Sequence, residues 1–154
     1  MLKVEGFIQE SGRVLYGRLA PGSDLLLGID ALCEEFGVSC GSIVGCMGSL
    51  SSTTYTYVRP DPEHPVGIKY VDVMKLETPA ELISAQGTIG VNQGNRDIHL
   101  HGVLSDADGN FIAGHLLPGC TVCATVELSI LVAETGIERK FDEQTQFCIF
   151  RYGK

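Results

Sequence analysis

The residues of this sequence best equipped for chemistry are His99, His101 and His115, three of its four histidines. In Asp97-Ile-His-Leu-His-Gly-Val-Leu-Ser105 the first two stand two positions apart. In a β-strand, residues two apart share one face. The next segment, Asp106-Ala-Asp-Gly-Asn110, has the make-up of a tight turn. A three-residue hairpin loop wants a type I turn followed by a residue in the left-handed region, and Ala107-Asp108-Gly109 puts glycine at that position. With Asp106 opposite Asn110, His101 comes to stand opposite His115, with β-carbons about 4.5–5.5 Å apart. A two- or four-residue loop would turn His115 to the other face.

Three imidazoles on one patch are a donor set for zinc or another divalent metal ion. Neutral histidines leave the ion's charge uncancelled and one coordination position open, as catalytic zinc sites do, and a water held there has its pKa lowered to about 7. The competing reading is a set of hydrogen-bonded sheet histidines with no metal. His64 lies in Arg59-Pro-Asp-Pro-Glu-His-Pro65, a proline-rich loop where a histidine is solvated rather than liganding. Asp97 shares strand parity with His99 and His101 and is a candidate to orient one of them. Arg96 or Glu127 is a candidate anion clamp or proton acceptor for an open site, or an ordinary surface charge. Cys120-Thr-Val-Cys123 has the spacing of half a zinc knuckle, but no second pair completes it, and on a strand its thiols point to opposite faces. The sequence contains no glycine-rich phosphate loop and no G-x-S-x-G elbow.

These residues need a sheet to hold them, and the apolar patterning supplies one. Residues 3–8 and 13–20 read as strands around a Ser11-Gly12 turn. One helix follows, capped by Ser23 or Asp24, with Leu25, Ile29, Leu32 and Phe36 as a single apolar stripe, Asp30, Glu34 and Glu35 on its wet side, and Gly37 as its stop. Residues 40–58 suit one or two strands, and 68–76 another. Thr78-Pro79 is expected to start a short helical turn before a strand over 82–91. Further strands are expected at 97–105, 111–117, 121–133 and about 145–152. The fold class is therefore α+β: a mixed, largely antiparallel sheet closing towards a barrel, with one main helix, in a single domain over 1–154.

Composition narrows the function. A formal charge of −8, from eleven Lys and Arg against nineteen Asp and Glu with no basic run, argues against a nucleic-acid partner, whose phosphates demand a cationic face. No apolar run approaches the ~20 residues of a membrane span, and no basic segment leads into an apolar one at the N-terminus. A cytoplasmic location is therefore expected, with the six cysteines reduced and mostly buried.

The chain resembles the plants-and-prokaryotes conserved (PPC) domain family over nearly its whole length. The specific signature is His99-Leu-His-Gly-Val-Leu-Ser-Asp-Ala-Asp-Gly109 together with Gly114-His-Leu-Leu-Pro-Gly119 and Thr125-Val-Glu127; Gly22-Ser-Asp-Leu-Leu26 and Gly45-Cys-Met-Gly-Ser-Leu50 support it. The resemblance implies a homotrimer with the histidines near a subunit interface. It also implies a fold similar to that of acetolactate decarboxylase and a zinc-dependent ester hydrolase, which bind metal through histidines. Plant members carry an AT-hook before the domain, whereas this sequence has no Arg-Gly-Arg-Pro segment. The expectation is a homotrimeric metal-binding domain with a three-histidine site that acts on a small molecule. The alternative is a non-catalytic DNA-binding or transcription-associated assembly module.

Overall fold

Helix α1 (Leu25–Glu35) begins where Asp24 accepts a hydrogen bond from the Leu27 amide at 3.0 Å, and Gly37 follows its end with φ +63°. Of the expected stripe, Leu25, Ile29 and Leu32 are fully buried, and Phe36 packs partly buried against the core. Each buried aliphatic side chain contributes about 1.5–3 kcal/mol over leaving it exposed, so the apolar face fixes the helix to the sheet. The computed structural model describes residues 4–9, 12–134 and 136–153.

The strands are β1 (Val4–Gln9), β2 (Val14–Leu19), β3 (Cys40–Thr56), β4 (Val58–Pro60), β5 (Ile68–Tyr70), β6 (Met74–Leu76), β7 (Ala80–Asn92), β8 (Asn95–Ser105), β9 (Phe111–Leu116), β10 (Thr121–Ala133), β11 (Ile137–Asp142) and β12 (Phe147–Tyr152). Ten of them form one sheet in the order β1-β2-β10-β3-β9-β8-β7-β11-β12, with β6 on the side of β3. All pairings in that sheet are antiparallel except β11 with β7, so the sheet is mixed. The long strand β3 pairs with β7 along Gly41–Leu50 and with β9 at Tyr55 and Thr56, which bends the sheet into a partial ring rather than a closed barrel. Leu15, Ile43, Leu50, Ile89, Leu100 and Leu116 fill the concave side together with α1.

Several local expectations change. Residues 68–76 are two short strands, not one: Val71 leaves the line to bond Tyr57 and Thr56, and β6 then turns to pair with β3. The segment from Arg59 is not all loop, because Pro60 ends β4 at the edge of a two-stranded ribbon with β5, a place that tolerates the missing amide. Thr78-Pro79 forms no helical turn; β7 starts at Ala80. The expected tip at Ser11 falls outside the described residues, while Gly12 and Arg13 form a turn. The hairpin β11–β12 adds a strand that the charged run Glu138-Arg-Lys140 concealed.

Arg96 is not an anion clamp. Its side chain is 14% exposed and ties α1 to β8, donating to the Val38 carbonyl (2.9 Å), the Asp30 carbonyl and carboxylate (3.1 and 2.6 Å) and Glu34 (2.9 Å). Two carboxyls of the helix's polar side are thus occupied within the protein. Replacing Arg96 by Ala leaves the part-buried carbonyls of Val38 and Asp30 unmatched and is expected to cost about 1–3 kcal/mol in urea unfolding. Glu34→Ala, at an 80%-exposed side chain, should cost less than about 1 kcal/mol.

Candidate metal centre

The turn that sets the site forms as its residues dictate. Gly109 adopts φ +80°, and its amide donates to the Asp106 carbonyl at 3.1 Å. The Asp106 carboxylate accepts from the Asp108 and Asn110 amides (3.0 and 2.8 Å) and the Asn110 side chain (3.0 Å). Ser105 pairs with Phe111, and His101 stands directly across from His115. Leu100 and Leu116, the neighbours on the opposite face, are fully buried, which holds the histidines on the outer side. On the next strand, Gly87 pairs with Leu100; a β-carbon there would sit 2.0 Å from the His99 carbonyl oxygen, so only glycine allows β7 to lie so close.

The three imidazoles meet. Ring centroids are 4.5 Å apart for His99–His115, 4.8 Å for His99–His101 and 5.3 Å for His101–His115. The Nε2 atoms of His99 and His101 are 3.0 Å apart, and one donor atom from each of the three lies within 4.8 Å of the others. Two nitrogens bound tetrahedrally to one zinc stand about 3.3 Å apart. The buried Nδ1 of His115 has no hydrogen-bond partner among the described residues. A cluster of three imidazoles with one buried nitrogen left over fits a divalent cation, since a closed network of hydrogen bonds would leave none over.

Burial, then the neighbouring His115, His101 and Arg139, press the pKa of His99 down to about 4, against the pull of Asp97. His115 is pressed to about 4 by burial first, then by His101 and Arg139. Burial also lowers that of His101, the exposed member. All three are therefore neutral, with lone pairs ready, at pH 7.

Asp97 does not hold a histidine. Its carboxylate takes hydrogen bonds from Arg139 at 3.0 Å and Asn92 at 2.9 Å. Glu127 stands on β10 between Arg18 and Met47, away from the cluster. Cys120, just before β10, is buried and Cys123 is exposed, and no disulfide occurs among the described residues. His64 stacks on Phe147 at 4.8 Å and stays out of the cluster. The residues that sequence reasoning missed come from the C-terminal hairpin and from β5. Phe150 tilts against His99 at 6.3 Å and carries Arg139 over its ring at 5.4 Å; Tyr70 meets His115 edge-on at 6.1 Å. Phe150 had one signal, its alternation with Tyr152 in a short strand, and Tyr70 had none.

Residues 7–134 match the family model of the Plants and Prokaryotes Conserved (PCC) domain. The chain belongs to that family. Among solved structures, a candidate DNA-binding protein of Bacteroides thetaiotaomicron aligns with a TM-score of 0.79 at 19% identity, over 96% of this chain and 97% of the other. A metal-containing protein of Archaeoglobus fulgidus aligns with a TM-score of 0.75 at 27% identity, over 97% and 99%. The bifunctional protein GlmU of a Synechococcus strain is 26% identical over 132 residues, 86% of this chain. This PCC domain spans only 18% of that protein's length.

The depressed histidines make the metal-free protein sensitive to acid in a defined window. An unfolded imidazole titrates near 6.5. As pH falls from about 6.5, the unfolded chain takes up protons that the folded chain refuses until about 4, so stability is lost through that range. The urea midpoint of metal-free protein should fall between pH 7 and pH 5, above the carboxylate range. A His99→Asn/His115→Asn variant should fall distinctly less; equal slopes would show that the rings titrate normally.

Proposed function

We propose that this PCC domain binds a divalent metal ion, zinc in the first place, through His99, His101 and His115, and that the open coordination position receives a small molecule. The observation that carries the reading is the convergence of three donor nitrogens within 4.8 Å, one residue of the set having a buried nitrogen without a partner. The Archaeoglobus relative, described as metal-containing, adds support at 27% identity. Zinc so bound would supply Lewis acidity and a bound water of pKa about 7. His99 and His115, half-buried and neutral, offer lone pairs without first giving up a proton. His101, exposed, marks the side from which a ligand enters.

Self-association into a homotrimer belongs to the same reading. Tyr16, Met47 and Ile83 are 42%, 59% and 45% exposed and line a groove of about 670 Å³ on the outer sheet face. Contiguous apolar surface of this kind marks an interaction face.

A DNA-associated role is the second reading, favoured by the Bacteroides neighbour's description and opposed by the net charge of −8. A mobility-shift titration at low salt is expected to show no complex; a shift that fades steeply with salt would restore the DNA role.

Protein expressed without a tag and dialysed against zinc should hold close to one ion per chain by elemental analysis. His101→Ala and His115→Ala should each lose at least tenfold in affinity. Equal metal content in wild type and variants would remove the assignment. In sedimentation the protein should run at three times the 16.5 kDa chain mass, and Met47→Glu should shift it towards the monomer.

A further inference from the structure

The hairpin β11–β12 lies beyond residues 7–134, the part that matches the family model. It does not merely end the sheet. Its parallel link to β7 is a single pairing, Glu138 with Val91, yet it is pinned over the histidines by Arg139, which bonds Asp97 from β8 at 3.0 Å and donates to the Cys148 carbonyl at 3.3 Å. Phe150 thereby stands against His99, and Phe147 bridges outward, 5.7 Å edge-on to Tyr70 and 4.8 Å stacked on His64. Tyr70 in turn meets His115 at 6.1 Å. The cluster is therefore flanked on two sides by rings drawn from the hairpin and from the β4–β5 ribbon, while His101 stays open to solvent.

Two chemical demands follow for whatever enters. Three neutral imidazoles leave the charge of a divalent ion uncancelled, so an anionic head group is favoured at the open position. The nearest carboxylate, Asp97, is already matched by Arg139 and Asn92 and does not supply that anion. Beside the histidines stand the rings of Tyr70 and Phe150, which favour a flat unsaturated body over a hydrated one.

We propose that Tyr70 and Phe150, the two rings that meet the histidines, form a selectivity wall that makes the site prefer small aromatic carboxylates to aliphatic ones. The proposal rests on the metal reading above. Benzoate and acetate share a carboxylate head and differ in the ring, so they isolate the wall's contribution.

Protein loaded with cobalt(II) reports binding through its visible absorption, independently of any activity. Benzoate is expected to bind roughly tenfold more tightly than acetate, the effect of two aromatic contacts. Phe150→Leu and Tyr70→Leu keep apolar bulk but remove the rings; each should lower the benzoate preference several-fold, and the double variant should abolish it. Cobalt content and far-ultraviolet circular dichroism should be unchanged in all three. Equal affinity for the two anions in metal-loaded wild type overturns the wall and leaves the metal reading intact, as does an undiminished preference in the folded double variant. Failure of the wild type to take up cobalt overturns both.

Discussion

A strand pair fixes its side-chain neighbours absolutely, since sliding it by one residue exchanges the two faces. The β8–β9 pair is set by one carboxylate: Asp106 gathers two backbone amides and the Asn110 side chain, while Gly109 takes the positive φ that closes the loop. From that closure the ladder runs without a shift to Leu100 opposite Leu116. His101 and His115 cannot separate while the ladder holds, and Leu100 and Leu116, anchored in the core, keep both rings on the outer face. The site is thus a consequence of register, not of a mobile loop.

The electrostatics follow from that position. Imidazoles crowded on a sheet face lose hydration and repel one another's charge, so they stay neutral. A carboxylate hydrogen-bonded to one of them would favour the charged ring, and Asp97 lies near enough to oppose the shift. The protein spends that carboxylate on Arg139 and Asn92 instead. The same ion pair holds the C-terminal hairpin beside the cluster. Removing Asp97 would therefore disturb architecture and site together.

The arginines show how one sequence feature takes a different meaning in three dimensions. Arg96 and Asp97 are adjacent on β8, and strand alternation sends them to opposite faces. Arg96 reaches the helix, where Asp30, Glu34 and the Val38 carbonyl absorb its guanidinium. Asp97 reaches the outer side and Arg139. A charge that looks available along the chain is committed once the helix docks.

By itself the sequence determined the features that depend on near neighbours. A cap at Ser23 or Asp24, the buried stripe of α1, the left-handed glycine at 109 and the facing of His101 and His115 all follow from a few consecutive residues whose backbone preferences agree with their apolar pattern; the structure chose Asp24 as the cap. The tertiary structure alone decided the rest. The partial ring arises because β3 is long enough to pair with β7 and then with β9, and nothing local marks where it changes partner. The split at Val71 reflects bonds to Thr56 and Tyr57 across an intervening loop. The aromatic wall joins Tyr70 and Phe150 to histidines far away in sequence, and β11 hid behind its charges because its partners lie on other strands. Turns and caps are settled within a few residues; contacts between distant strands are settled only when the sheet closes around a shared core.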